Sequence, residues 1–233
     1  MENAKSKLTA GRMVRTAIYL LIFPALILFL SGDWFWVEGW IFNVWLIALC
    51  ATTIIYLYRK DPALLAERYR KPGTGSQKGW DKYVIYGIVL GFVLWIVMMP
   101  LDAKRLGWST AFPLWLKVVG GGGLLLSSFL FLRSYVDNTF LSPLVRIQTE
   151  RRQQLVSTGV YGFVRHPMYL GGILLFIGAP LLLGSLYGIL IGVLISFLLV
   201  ARIIGEEKML VKELEGYYEY RKKVKYRLIP FVW

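Results

Sequence analysis

The chain has one histidine, His166, set between Arg165 and Pro167 at the head of the apolar run MYLGGILLFIGAPLLL. Proline in the first turn of a helix is tolerated because its missing N–H would have lacked a partner, and it pushes the residue before it into an extended conformation. His166 therefore points off the axis where a helix begins, beside free backbone N–H groups and the positive end of the helix dipole. With Arg165 adjacent, this suits an anion such as a ligand carboxylate; it suits equally a basic anchor with an interfacial histidine at a membrane edge. A second cluster lies in ARIIGEEKML. Arg202 and Glu206 are four apart and share a helix face, while Glu207 lies about 100° away. Arg202 falls at the edge of an apolar block, where an ionisable group calls for a partner, and Glu206 is the expected one. An arginine snorkelling to the headgroups beside two solvated glutamates would read the same way. Tyr161, Tyr169, Tyr217, Tyr218 and Tyr220 surround these charges, either as an interfacial aromatic belt or as faces that hold a cation, a sulfonium included.

The elements that must position these groups are membrane spans. Of the 233 residues 57% are hydrophobic, and they come in long blocks rather than amphipathic stripes. Crossing the hydrocarbon core takes roughly 20 apolar residues as a helix. Six blocks qualify or nearly do, at about 16–31, 40–58, 82–100, 112–133, 168–184 and 186–204. Only Gly184 and Ser185 separate the last two, so a tight antiparallel hairpin is expected. The fold class is thus an all-α polytopic transmembrane bundle of about six spans with a cytoplasmic pocket.

Charge orients it. Net charge is +13, which in a soluble chain would suggest nucleic acid, but the basic residues sit between apolar blocks. Of the 27 Lys and Arg, all but Lys104, Arg105 and Lys117 fall before the first span, in 58–82, in 133–167 or from 202 onward. The positive-inside rule puts those segments and both termini in the cytoplasm, and no nucleic-acid partner is expected. The basic segment holding Lys5, Lys7, Arg12 and Arg15 precedes a block with no convincing cleavage site, so it reads as leading into a retained first span. Cys50 is the sole cysteine, so neither an intrachain disulfide nor a cysteine-based metal site is expected.

The segment 134–167 and the tail 205–233 then share one face, and a soluble-side site is expected from those two stretches. The tail starts as an amphipathic helix, with Met209, Leu210, Leu214 and Tyr217 on a common side, lying along the headgroups or folding under the bundle. Glycines Gly120 to Gly123, Gly171, Gly172 and Gly178 read as points of close helix approach. No strand precedes the glycine run, so it is not a nucleotide loop.

Taken together, GVYGFVRHPMY, a hairpin, Arg202 with Glu206, Glu207 and Leu210, and GYYEYRKKV followed by Pro230 resemble the isoprenylcysteine carboxyl methyltransferase family over about residues 140 to 230. That resemblance implies an enzyme that binds S-adenosylmethionine between the cytoplasmic loop, the last two spans and the tail, and transfers its methyl group in line without a metal. It implies a cofactor wall of Gln148, Gln153, Gln154, Leu155, Val156, Tyr161, His166, Pro167, Met168, Tyr169 and Glu206. Arg202 would face the acceptor, with Arg165 holding a carboxylate or the pocket itself, so that Arg202, Arg165 and Glu206 carry the catalytic roles. The implied acceptor is a lipophilic small molecule or prenylated group reached from membrane lipid. The implied division is 1–134 as N-terminal helices and 135–233 as the methyltransferase core. The loop rich in Arg151, Arg152, Gln153 and Gln154 resembles the prokaryotic branch and a prokaryotic cell membrane. Rival activities on such a scaffold are phospholipid N-methylation and small-thiol S-methylation; more remote are an NADPH-dependent membrane reductase and a non-enzymatic carrier.

Overall fold

The computed structural model describes residues 10–233, with side chains from Ile18 onward except Tyr19. Lys5 and Lys7, and the side chains of Arg12 and Arg15, lie outside the described residues. Within them regular structure is entirely helical. The elements are α1 (Ala10–Ser31), α2 (Val37–Lys60), short α3 (Pro62–Arg68), α4 (Gly79–Pro100) running on into a π-turn (Leu101–Arg105), α5 (Leu114–Asp137), α6 (Pro167–Leu183), α7 (Leu186–Glu213) and short α8 (Tyr217–Lys223).

Among the described residues four helices are long and apolar enough to cross a membrane: α2, α4 with its π-turn, α5 and α7. Two shorter apolar stretches, Leu20–Ser31 of α1 and all 17 residues of α6, lie where the first and fifth blocks were expected. Large side chains such as Leu21, Phe29, Leu90, Leu125, Leu194 and Phe197 stand exposed around the bundle. Such a surface belongs to an integral membrane protein, where lipid replaces water and every backbone polar group is satisfied within a helix.

The expected hairpin forms. Gly184, at φ +81, and Ser185 both donate their N–H to the Pro180 carbonyl at 2.9 Å, a left-handed helix end that glycine adopts without a Cβ penalty. Ser185 Oγ then accepts the Gly188 N–H at 2.9 Å and caps α7. Buried Asp102, in the π-turn, accepts from Ser185 Oγ at 2.6 Å, Ser109 Oγ at 2.8 Å and the Tyr187 N–H at 3.1 Å. A carboxylate there is favoured by the positive end of α7.

Small residues then let backbones approach. A Cβ on Gly192 would strike the Phe176 carbonyl, and one on Gly120 would reach Leu182 N and Gly178 O. Ser127 Oγ donates to the Gly171 carbonyl at 2.7 Å. The close-approach reading of the glycines therefore holds for Gly120, Gly171 and Gly178. Gly192→Ala is expected to lower stability by about 1–3 kcal/mol, because a helix backbone cannot yield as a side chain can. Thermal unfolding in detergent checks this; an unchanged midpoint would show that α6 and α7 slide apart freely. The core beneath is aromatic: Trp95 meets Phe176 edge-on at 5.3 Å and donates Nε1–H to the Phe176 carbonyl at 3.1 Å.

One boundary departs from expectation. The sixth span runs unbroken to Glu213 instead of yielding near 204 to a separate amphipathic helix. Met209 and Leu210 on that overhang pack with Val145, Tyr217, Tyr220 and Val224, with Leu214 alongside, so the tail folds under the bundle. Gly216, at φ +79, turns the chain back into α8.

Candidate active site

The loop between α5 and α6 has little regular structure, and ion pairs fix its course. Arg146, buried, grips Glu67 of α3 through Nε at 3.0 Å and Nη2 at 2.9 Å, and reaches Glu150 at 2.6 Å. Arg70 joins both carboxylates, at 2.7 Å and 3.0 Å. The Arg146 hydrogen bond holds the Glu150 carboxyl down at about 2, so that carboxylate stays charged at any physiological pH. Asp81 in the first turn of α4 accepts the Val145 N–H at 2.9 Å, while Lys78 donates its N–H to the Val145 carbonyl at 3.0 Å. The loop is thereby clamped to α3 and α4.

The RHPMY segment is held from the other side. The N–H groups of Arg165 and His166 donate to the Tyr226 and Arg227 carbonyls at 3.0 Å and 2.9 Å. Glu207, 3% exposed, then draws three cationic or ring nitrogens together: Arg165 Nε at 2.6 Å, Arg227 Nε at 2.8 Å and His166 Nε2 at 3.2 Å. Arg165 also donates to the Val224 carbonyl at 2.6 Å. Arg165 thus holds a carboxylate, but the protein's own.

Between these walls lies a cavity of about 520 Å³. Gln153, Gln154, Leu155 and Val156 line it from the loop, Tyr161, Arg165, His166, Met168 and Tyr169 from the segment before and into α6, and Arg202 and Glu206 from α7. Two expected wall residues are elsewhere. Gln148 is fully buried and structural: Nε2 donates to the Phe140 carbonyl at 2.5 Å, Oε1 accepts from Arg151 at 2.8 Å, and its backbone N–H goes to Gln153 Oε1 at 2.9 Å. Pro167 is buried as the first residue of α6 and does not reach the cavity; its ring starts the helix.

The expected Arg202–Glu206 pair is also corrected. Arg202 Nε donates to Asp81 Oδ1 at 2.7 Å and Nη2 to the Pro143 carbonyl at 2.6 Å, whereas Glu206 Oε2 accepts the Tyr169 hydroxyl at 2.5 Å. Asp81 is completely buried and wins because desolvation leaves a carboxylate there no other counter-charge, while Glu206 faces the cavity. The site is not confined to the loop and tail either: Arg68 of α3, Ile85, Ile88 and Val89 of α4 and Phe131 of α5 line it too.

Two further groups stand out. Tyr217 Oη is buried against the cavity with no hydrogen-bond partner among the described residues, and burial pushes the Tyr217 and Tyr220 phenols well above their usual range. They are neutral donors at physiological pH. The sequence signal for Asp81 and Glu207 was present, an acid in the first turn of an apolar span and an acid turned away from Arg202, but neither names its partner.

The phospholipid methyltransferase family model matches residues 116–216, from the start of α5 to the end of α7. The protein-S-isoprenylcysteine O-methyltransferase of Schizosaccharomyces pombe (strain 972 / ATCC 24843) is 27% identical over 171 residues, covering 64% of this chain and 71% of that protein. The fold matches the eukaryotic intramembrane Ras methyltransferase, isoprenylcysteine carboxyl methyltransferase, solved without a monobody, with a TM-score of 0.60 at 24% identity over 92% of this chain and 74% of that one. A helical membrane bundle so matched is an integral membrane methyltransferase. Within that class the chain is similar to isoprenylcysteine carboxyl methyltransferases, the family its RHPMY and Glu-Glu segments resemble.

Proposed function

We propose that this methyltransferase uses S-adenosylmethionine to methylate the carboxylate of a lipophilic, isoprenylcysteine-like acceptor. One observation carries the reading: a single cavity is lined both by polar Gln154, Glu206 and Tyr217 and by apolar α4 residues including Val89, itself 51% exposed, with Arg202 on the same wall. A polar donor molecule entering from the cytoplasm and an apolar acceptor entering from the bilayer would meet beside a guanidinium.

The residues fit the donor molecule. An orphaned buried hydroxyl on Tyr217 and the second oxygen of Glu206, which makes no hydrogen bond among the described residues, suit amine, hydroxyl and purine groups. Tyrosine faces at Tyr161, Tyr169 and Tyr217 tolerate a sulfonium, and the first-turn N–H groups of α6 at Met168 and Tyr169 suit a carboxylate. When bound, S-adenosylmethionine supplies an electrophilic methyl group on sulfur.

The chain's own work is positioning. An acceptor α-carboxylate, with an intrinsic pKa of about 3.3–3.7, is already ionised at neutral pH, so no residue needs to remove a proton. Arg202 holds and aims that carboxylate. The packed walls of α4, α6 and α7 exclude water, and alignment in a dry site supplies most of the acceleration. The reading sets the site and both termini on the cytoplasmic side of a prokaryotic membrane. It keeps 135–233 as the core, with 1–134 completing the acceptor side.

The test is calorimetric binding of S-adenosylhomocysteine in detergent. Glu206→Gln is expected to weaken binding about 10- to 100-fold, the worth of a charge-assisted hydrogen bond, and His166→Ala several-fold through loss of a cavity wall. Label transferred to an N-blocked S-farnesylcysteine should be released by base, as a methyl ester is; base-stable label on a phospholipid amine or a thiol would overturn the acceptor. Stabilisation by NADPH with no response to S-adenosylhomocysteine would overturn the whole reading.

A further inference from the structure

Asp81 lies outside the stretch matched by the family model, 121 residues from Arg202 in sequence, yet it is the only carboxylate within ion-pair distance of that arginine among the described residues. It is completely buried and accepts from three directions: Arg202 Nε at 2.7 Å, the Val145 N–H at 2.9 Å and Gln77 Nε2 at 2.7 Å. The Pro143 carbonyl takes Nη2 of Arg202 at 2.6 Å, and the Tyr169 ring lies 5.9 Å from the guanidinium carbon. With Nε and Nη2 so engaged, Nη1 makes no hydrogen bond among the described residues and belongs to a side chain on the cavity wall.

An arginine side chain carries about 2 kcal/mol of rotamer entropy. A guanidinium pinned through one edge gives up that freedom on folding rather than on ligand binding, so its remaining donors meet a carboxylate already oriented. The same carboxylate holds Val145, so the loop bearing Pro143 and the arginine are tied to one point on α4.

We propose that Asp81 is the positioning residue for the acceptor carboxylate, fixing Arg202 so that Nη1 faces the ligand. Through it the N-terminal half of the chain sets acceptor affinity. This rests on the acceptor reading above, and it concerns a residue that does not itself touch the reacting atoms.

The test compares Asp81→Asn and Asp81→Glu with the parent, measuring S-adenosylhomocysteine binding and steady-state methylation of N-blocked S-farnesylcysteine. In whichever variant keeps parent-like binding of S-adenosylhomocysteine, the acceptor KM should rise at least about tenfold, the loss expected of one mis-set charge-assisted contact, with kcat reduced much less. A second readout uses the alcohol analogue of the acceptor as an inhibitor: its affinity, already lacking the carboxylate, should be the same in variant and parent. Unchanged acceptor KM, or equal weakening of acid and alcohol, overturns the proposal. So does loss of S-adenosylhomocysteine binding in both variants, since Asp81 would then be holding up the fold alone. A parent that binds no S-adenosylhomocysteine and transfers no label sinks the function reading instead, a distinct result.

Discussion

Replacing Glu207 with glutamine is expected to abolish S-adenosylhomocysteine binding and to destabilise the protein by about 3–5 kcal/mol, the cost of removing one partner from a buried ion pair. Glu207 is the common acceptor for Arg165, His166 and Arg227, and the Arg165 and His166 side chains are only 3% and 5% exposed. Glutamine matches its shape but removes the charge and turns an amide donor toward groups that are themselves donors. At least one guanidinium is left without a counter-charge, and the easiest relief is for the strap at 224–227 to peel away from the RHPMY segment. That opens the wall of the cavity formed by His166 and Tyr220, so binding and stability fall together. The measurement is thermal unfolding in detergent with and without S-adenosylhomocysteine: a fall of about 6–20 °C corresponds to that energy in a chain of this size, and the ligand should no longer raise the midpoint. A variant that unfolds within a degree or two of the parent and still responds to ligand would show that the hub is ornamental.

Arg202→Gln separates the two substrates. Truncating one partner of a buried charge contact costs about 2–5 kcal/mol, so kcat/KM for the prenylated acceptor is expected to drop by about two to three orders of magnitude. S-adenosylhomocysteine affinity should stay within about threefold, because the groups assigned to that ligand, Glu206, Tyr217 and the first turn of α6, do not depend on the guanidinium. Glutamine retains an N–H for Asp81, which limits the structural damage. Single-turnover methylation at saturating donor reads the loss directly. A fall of less than about threefold would mean that the acceptor carboxylate is held elsewhere, and parallel loss of S-adenosylhomocysteine binding would mean that the two ligands are not held by separate groups. Glu206→Gln predicts the complementary pattern, weakened donor binding first, so the pair of variants tests the division of the cavity as well as its contents.

Much of this molecule could be read from its letters because the relevant physics is local. An apolar run long enough to cross a bilayer must be helical for its own backbone to be satisfied. Gly184 and Ser185 leave a two-residue link that only a tight reversal can use, and Pro167 after an extended His166 marks the start of α6 wherever it packs. The RHPMY and Glu-Glu segments were found for the same reason, as short patterns on either side of that hairpin, and the cavity gathers most of the residues they implied. Gln148 and Pro167 failed because a residue's place beside a wall in sequence does not say which way its side chain turns; Gln148 turned inward to satisfy the Phe140 carbonyl.

What only the tertiary structure decided is the identity of the charge partners. Spacing along one helix offered Glu206 to Arg202, but the bundle brings Asp81 of α4 alongside it, and a fully buried carboxylate cannot be left without a counter-charge. The same holds for Glu207, whose direction away from Arg202 was legible while its three partners, up to 42 residues distant, were not. Helix existence depends on neighbours a few residues away; ion pairing in a low-dielectric interior depends on which helices touch, and the α4–α7 contact that pairs Asp81 with Arg202 is closed at Gly205, where a Cβ would strike the Trp80 ring.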